Sequence, residues 1–175
     1  MKVEIKLADN TNGYIIKNMY PLYLHDIAGI HGTLPNEHGI FEEEPIKTLS
    51  DQYDIQQVWF EKPNELYPYL IIADNVPAGF CLVGSGRYVP KDVDFYVYET
   101  FILSPFRGKN ISCYAITEVF NKHLGKWMLF THSTSNNVRA KVFWHKVIKS
   151  YTNNNYTTEE KMIDQMPKLV FRFDN

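Results

Sequence analysis

Apolar and polar positions alternate along the first residues of the chain. Val3, Ile5 and Leu7 stand against Lys2, Glu4 and Lys6, a period of two that predicts a strand with one buried face. Asn10, Thr11, Asn12 and Gly13 punctuate it. The period then lengthens. Ile16, Met19, Tyr20, Tyr23, Ile27 and Ile30 fall at helical spacing, with Pro21 placed to kink the helix. Residues 31 to 47, with Gly32, Pro35, Gly39 and Pro45, predict a loop that holds the acidic run Glu42, Glu43, Glu44. A shorter helix is predicted over residues 51 to 60, ended by Pro63.

The middle of the chain reads as β-structure. Residues 69–73 and 80–83 predict two strands joined by a turn over residues 74–79, with Asn75 and Pro77 in it. Gly84, Ser85 and Gly86 break the second strand, and residues 95–103 predict a long one ending at Ser104 and Pro105. The period changes again after that. Ile111, Ala115, Val119 and Leu124 step along one helical face, with Gly125 placed to stop the helix. A short strand over 127–131 follows, then a helix marked by Ala140, Phe143, Trp144, Val147 and Ile148. A last strand over 169–173 pairs in this reading with residues near Tyr156. The order of elements is that of an α/β or α+β mixed sheet.

Composition narrows what such a sheet can do. At 175 residues, one domain with a real hydrophobic core is the simplest expectation. Lys plus Arg is 18 and Asp plus Glu is 20, a formal net charge of −2, so no global field favours nucleic acid or an anionic membrane. No apolar h-region follows the first basic residue, and no run approaches the roughly 18 apolar residues of a membrane span. A cytoplasmic protein is the expectation. Cys81 and Cys113 are too few for a disulfide framework and read as reduced core residues. His25, His31 and His38 lack metal-ligand spacing, so no metal is expected. The surplus is aromatic, with 12 Tyr, 11 Phe and 3 Trp, and part of it is expected to line a pocket.

One window carries candidate chemistry. In residues 99–116, ETFILSPFRGKNISCYAI, a strand runs into the turn Arg107, Gly108, Lys109, Asn110, and a helix begins near Ile111. The first amides of a helix lack internal partners and carry partial positive charge. With Arg107 and Lys109 beside them they suit an anion such as a pyrophosphate, although a plain solvated turn has the same sequence.

RGKNIS, residues 107–112, resembles the signature R/Q-x-x-G-x-G/A of the GNAT superfamily of acetyl-CoA-dependent N-acetyltransferases. Glu99, Phe101 and Leu103 resemble the strand before that signature. NVRAKVFW at 137–144 resembles the later N-x-x-A-x-x-F-Y stretch. YLIIADNVPAGFCLV at 69–83 resembles the central hairpin with its x-P-A-G turn. Three positions depart from the pattern. Asn110 and Ser112 replace small residues, a mild change because Asn is the non-Gly residue most tolerant of the left-handed region. Trp144 stands where many members carry a Tyr proposed as general acid, and an indole offers only an N–H.

The resemblance implies a single domain over 1–175, a GNAT-like mixed, mostly antiparallel sheet flanked by helices and splayed between the strands near residues 99 and 127. It implies direct transfer of an acetyl group from acetyl-CoA to a primary amine of a small molecule or peptide. The alternative is a CoA-binding sensor or partner module without turnover. Amides around Phe101, Ile102 and Leu103 would hold the pantetheine and the acetyl oxygen, and Asn137 the pantetheine arm. Arg107 and the amides of Gly108, Lys109, Asn110, Ile111 and Ser112 would hold the pyrophosphate. Glu99 is the candidate general base and Tyr98 the alternative polar handle, with Tyr88 and Tyr114 as candidates for the missing acid. Strand alternation places Glu99, Phe101 and Leu103 on one face and Tyr98, Thr100 and Ile102 on the other. In the family the first helices wall the acceptor site, so Glu42 to Glu44 would suit a cationic amine. A homodimer is common in the family.

Overall fold

The computed structural model describes residues 1–42 and 45–175. Among these residues seven strands form one sheet in the order β1-β2-β3-β4-β5-β7-β6. They are β1 (Val3–Leu7), β2 (Leu66–Ala73), β3 (Val76–Ser85), β4 (Phe95–Ile102), β5 (Lys126–His132), β6 (Thr157–Ile163) and β7 (Met166–Asp174). Every pairing is antiparallel except β4 with β5. Among the described residues five α-helices flank the sheet: α1 (Tyr14–His31), α2 (Leu49–Ile55), α3 (Val58–Glu61), α4 (Ile111–Asn121) and α5 (Val138–Tyr151). This is the mixed, mostly antiparallel sheet expected from the sequence. Among the described residues no helix is long and apolar enough to cross a membrane.

The two sheet faces bury different helices. Ile16, Met19 and Tyr23 of α1 pack on Leu70, Phe80, Leu82 and Phe101. On the opposite face Ile116, Val119 and Phe120 of α4, with Trp144, Val147 and Ile148 of α5, pack on Tyr69, Cys81, Val83, Val97, Trp127 and Phe171. Each large side chain buried this way contributes about 1.5–3 kcal/mol. Cys81 is fully buried, with its thiol pushed up to about 12 by burial, while Cys113 is half-buried; both are free.

Several elements differ from the expected bounds for local reasons. α1 runs through Pro21 without interruption and stops at Gly32, which is left-handed and returns its N–H to Ala28 O. The single helix expected over 51–60 is two. α2 starts at Leu49 because Thr48 and Asp51 form a reciprocal capping box, and the chain reorganises at Gln56–Gln57 before α3. The hairpin turn shrinks to Asp74 and Asn75, both at positive φ, so Pro77 and Gly79 belong to β3. Ala78 is the extra residue of a bulge there, which is where a strand tolerates proline. Gly79 is obligatory, since a Cβ on it would lie 2.0 Å from the Phe101 carbonyl oxygen.

α4 ends at Asn121, so Leu124 is exposed rather than on the buried face. Gly125 serves a close approach to Asp94, whose carboxylate accepts from Lys126 N–H, instead of stopping a helix. The strand hinted at near Tyr156 is a full element, β6, paired with β7 through a two-residue turn at Asp164 and Gln165. β1 and β6 are the outer strands. Lys2, Glu4 and Lys6 lie along one edge and Glu159 and Lys161 along the other, each set linked by ion pairs.

Candidate functional site

β4 and β5 are hydrogen-bonded neighbours over three positions only, Phe95 with Trp127, Tyr96 with Met128 and Val97 with Leu129. Beyond them β4 continues to Ile102 and β5 to His132 with no shared ladder. The opening lies between the strands named by the sequence, and Trp127 stands at its sealed end. β4 is bulged at this point: Leu82 pairs with Glu99 and Val83 with Val97, leaving Tyr98 over. A bulge bends and twists its strand, which turns β4 away from β5. Gly84 makes room for it, because a Cβ there would lie 2.6 Å from the Tyr98 ring. On the other side Asn137 pins the end of β5, donating from Nδ2 to Thr131 Oγ1 and to His132 O, both at 2.8 Å. The result is a cleft of about 1640 Å³.

The bulge corrects the expected alternation. Tyr98 packs edge-on against Tyr96 and Trp59, and Trp59 packs on the α1-side core with Phe101 and Leu103. Tyr98 therefore shares the α1 face of the sheet with Glu99 instead of opposing it. Its hydroxyl donates to Tyr88 O. Thr100 and Ile102 face the α4 side, where Ile102 packs on Ile111 and Ala115.

Glu99 is half-buried in the cleft. Removal from water pushes its carboxyl up to about 8, partly opposed by the Lys168 ammonium across the cleft. A carboxyl titrating near neutrality can take up and release a proton under working conditions, which is what a general base requires.

The backbone of β4 offers donors to the opening. Leu103 N–H is donated to Ala78 O on the β3 side, while Ile102 O accepts from Arg107 Nε at 2.7 Å on the other. Backbone groups alternate edges along a strand, so the N–H groups of Ile102 and Thr100 face the cleft. Of the three amides expected at Phe101, Ile102 and Leu103, that of Leu103 is already engaged, and only that of Ile102 points into the opening.

The turn before α4 fits an anion in its backbone more than in its arginine. Asn110 holds φ +59° and Gly108 φ +74°, so the asparagine occupies the left-handed position a glycine would take. No side chain caps α4; its first internal bond is Tyr114 N–H to Asn110 O, which leaves the amides of Ile111, Ser112 and Cys113 without helical partners. Lys109 is exposed beside them. The Arg107 guanidinium turns the other way, ion-paired with Asp26 of α1 and 5.5 Å from the centre of the Phe101 ring. It braces α1 against the tip of β4.

The far wall holds residues that the sequence did not single out for the cleft. In the β5–β7 register His132 stands opposite Lys168, whose ammonium lies 2.6 Å from His132 Nε2. His31, from the last turn of α1, meets the His132 ring at 3.9 Å between centroids. Burial, then His31 and then Lys168 push His132 down to about 4, so it is neutral at pH 7.

The remaining candidates separate. Tyr88 lines the cleft, whereas Tyr114 lies exposed on α4. Trp144 is buried at the cleft wall against Phe143. Glu42 accepts from Gln52 Nε2 of α2, and the rest of the acidic run, Glu43 and Glu44, lies outside the described residues. The aromatic surplus is divided: Tyr23, Tyr88, Tyr96, Tyr98, Phe101 and Phe130 line the cleft, while Tyr67 and Tyr69 pack around His123 on the opposite face.

No protein-family model matches the chain, and no curated protein matches it. Solved structures do. An acetyltransferase from Thermus thermophilus superposes with a TM-score of 0.67 at 15% identity, covering 100% of this chain and 98% of its own. A protein described as histone acetyltransferase HPA2 and related acetyltransferase, from Corynebacterium glutamicum, gives 0.68 at 12%, covering 98% and 96%. Spermidine N-acetyltransferase from Vibrio cholerae, in complex with CoA and spermine, gives 0.62 at 11%, covering 98% and 95%. At such identities the likeness establishes the fold.

Proposed function

From the GNAT fold of the chain, we propose that it is an acetyl-CoA-dependent N-acetyltransferase that moves an acetyl group directly to a primary amine of a small molecule or peptide. The observation that carries the proposal is the placement of Glu99. A carboxyl titrating near 8 sits on a strand bulge, beside backbone donors that have lost their neighbouring strand.

Acetyl-CoA would supply an activated thioester. Its pyrophosphate suits the uncapped start of α4, with the amides of Gly108, Lys109, Asn110, Ile111 and Ser112 as donors and the Lys109 charge beside them. Ile102 N–H, on the open edge of β4, suits the pantetheine or the acetyl oxygen, and Phe101 borders it. Asn137 holds the β5 side of the opening with its amide nitrogen, which leaves its oxygen to accept from the pantetheine arm. Glu99 accepts the proton given up as the amine nitrogen bonds to the acetyl carbon and the carbon–sulfur bond breaks. Tyr98 shapes the acceptor side with its ring.

Trp144 favours one other reading, a CoA-binding module that does not turn over, because the position offers no phenolic proton. Two measurements separate the readings. Calorimetric titration with CoA should show binding, and its absence at high micromolar CoA overturns both. A thiol-release assay with acetyl-CoA and a panel of primary amines should then show turnover. Binding without release across the panel overturns catalysis and leaves the sensor.

A further inference from the structure

The cleft wall opposite Glu99 holds a buried lysine with no carboxylate paired to it among the described residues. Lys168 is 7% exposed. Its ammonium lies over the Phe130 ring, 5.0 Å from the centre, and within 2.6 Å of His132 Nε2. Among the described residues no carboxylate oxygen lies within 4.0 Å of it. Glu99 and Asp164 act on it only at longer range. Burying an ammonium without a counter-charge costs several kcal/mol, and burial lowers the Lys168 pKa here against the raising effect of Asp164 and Glu99; an arriving anion would offset that cost.

Its one close polar partner leaves it free to bind. His132 is neutral at pH 7 and meets the ammonium at 2.6 Å through Nε2 and 3.3 Å through Nδ1, while His31 packs on the imidazole. At least one ammonium proton remains for a ligand, and Lys168 lines the cleft.

We propose that Lys168, with His132 behind it, is a carboxylate-binding subsite in the acceptor half of the cleft, and that the acceptor is of the amino-acid class, a primary amine carrying its own carboxylate. The proposal rests on the N-acetyltransferase reading above. Glu99 and Lys168 face the cleft from opposite walls, near enough to influence each other and without contact. A zwitterion set between them has its amine at the carboxyl and its carboxylate at the ammonium. A polyamine would bring a cation against Lys168. A phosphate would bring two negative charges to one ammonium beside Glu99. A single carboxylate matches the charge present.

The test compares matched amines that differ only in bearing a carboxylate or a carboxamide, using the intact protein and acetyl-CoA. The carboxylate member should show a kcat/KM higher by about 10- to 100-fold, the value of a hydrogen bond to a charged group. Lys168→Met should collapse that ratio, with CoA titration reporting whether the variant is folded; the wild-type ratio decides the matter even if the variant is not. Equal or better use of the carboxamide overturns the subsite and leaves acetyl transfer standing. A preference for a matched phosphonate over the carboxylate overturns the choice of anion. Transfer to no amine at all overturns the N-acetyltransferase reading and the subsite with it.

Discussion

β4 is two structures in one strand. From Phe95 to Val97 it is sealed, with β3 on one side, β5 on the other, and Val97 in the main core. From Tyr98 to Ile102 it has β3 alone, and its second edge faces the cleft. The sequence changes little between the halves, FYV against YETFI. One extra residue divides them. The bulge at Tyr98 ends the pairing with β5, puts Tyr98 and Glu99 on the same face, and exchanges ladder partners for ligand donors. In the proposed function the sealed half contributes stability and the open half the chemistry.

Substitutions at three places test that division, in falling order of effect. Glu99→Gln should lower kcat/KM by about 10²- to 10⁴-fold while CoA still binds. In the wild type the rate should rise with pH through about 8, and the variant should lose that rise. Stability should move the other way. The folded carboxyl titrates above its ordinary value of 4.5, so its contribution is fully present below that value and is lost as pH rises through about 8. Glu99→Gln should therefore raise the melting temperature at pH 9 relative to wild type more than at pH 5. A full rate with a flat pH profile would remove Glu99 as base.

Val97→Ala, two residues earlier, should do the reverse. It should cost about 2 kcal/mol in a urea melt, as a cavity in the core does, and leave the shape of the pH–rate profile unchanged. A shifted profile would mean that the two halves are not separable. The smallest effect concerns the brace on the open half. If Arg107 acts through Asp26, Arg107→Ala should raise the KM for acetyl-CoA and Asp26→Asn should reproduce most of that rise, each worth about 1 kcal/mol for a partly exposed pair. If Arg107 acts on phosphate directly, Asp26→Asn should leave that KM unchanged or lower it.

The two walls of the cleft were unequally legible. The β4 wall and the turn after it are contiguous in sequence, so Glu99, Arg107, Asn110 and Ser112 declare themselves within fourteen residues. The left-handed tolerance expected of Asn110 is the conformation it adopts. The bulge itself is not legible, since strand alternation says nothing of an inserted residue, and alternation alone puts Tyr98 on the face opposite to the one it occupies. The opposite wall is assembled from residues 31, 132 and 168, which meet only through the β5–β7 register and the end of α1. One signal was available. Period two puts Lys168 on the same face as the fully buried Val170, and a lysine in that position requires a partner. β6 is legible only as residues near Tyr156 that pair with the last strand, because Thr157 to Lys161 are polar on both faces and β7 alone holds it.

That polarity has a consequence for the company the protein keeps. A sheet of seven strands ends in two rows of unpaired backbone donors and acceptors, and such rows are templates for another extended chain. Here an approaching strand meets Lys2, Glu4 and Lys6 at one margin, and Glu159, Glu160 and Lys161 at the other, before it can reach the backbone. Desolvating those charges opposes the addition of a strand at either margin, so the open cleft can keep its broken ladder without the sheet as a whole becoming adhesive.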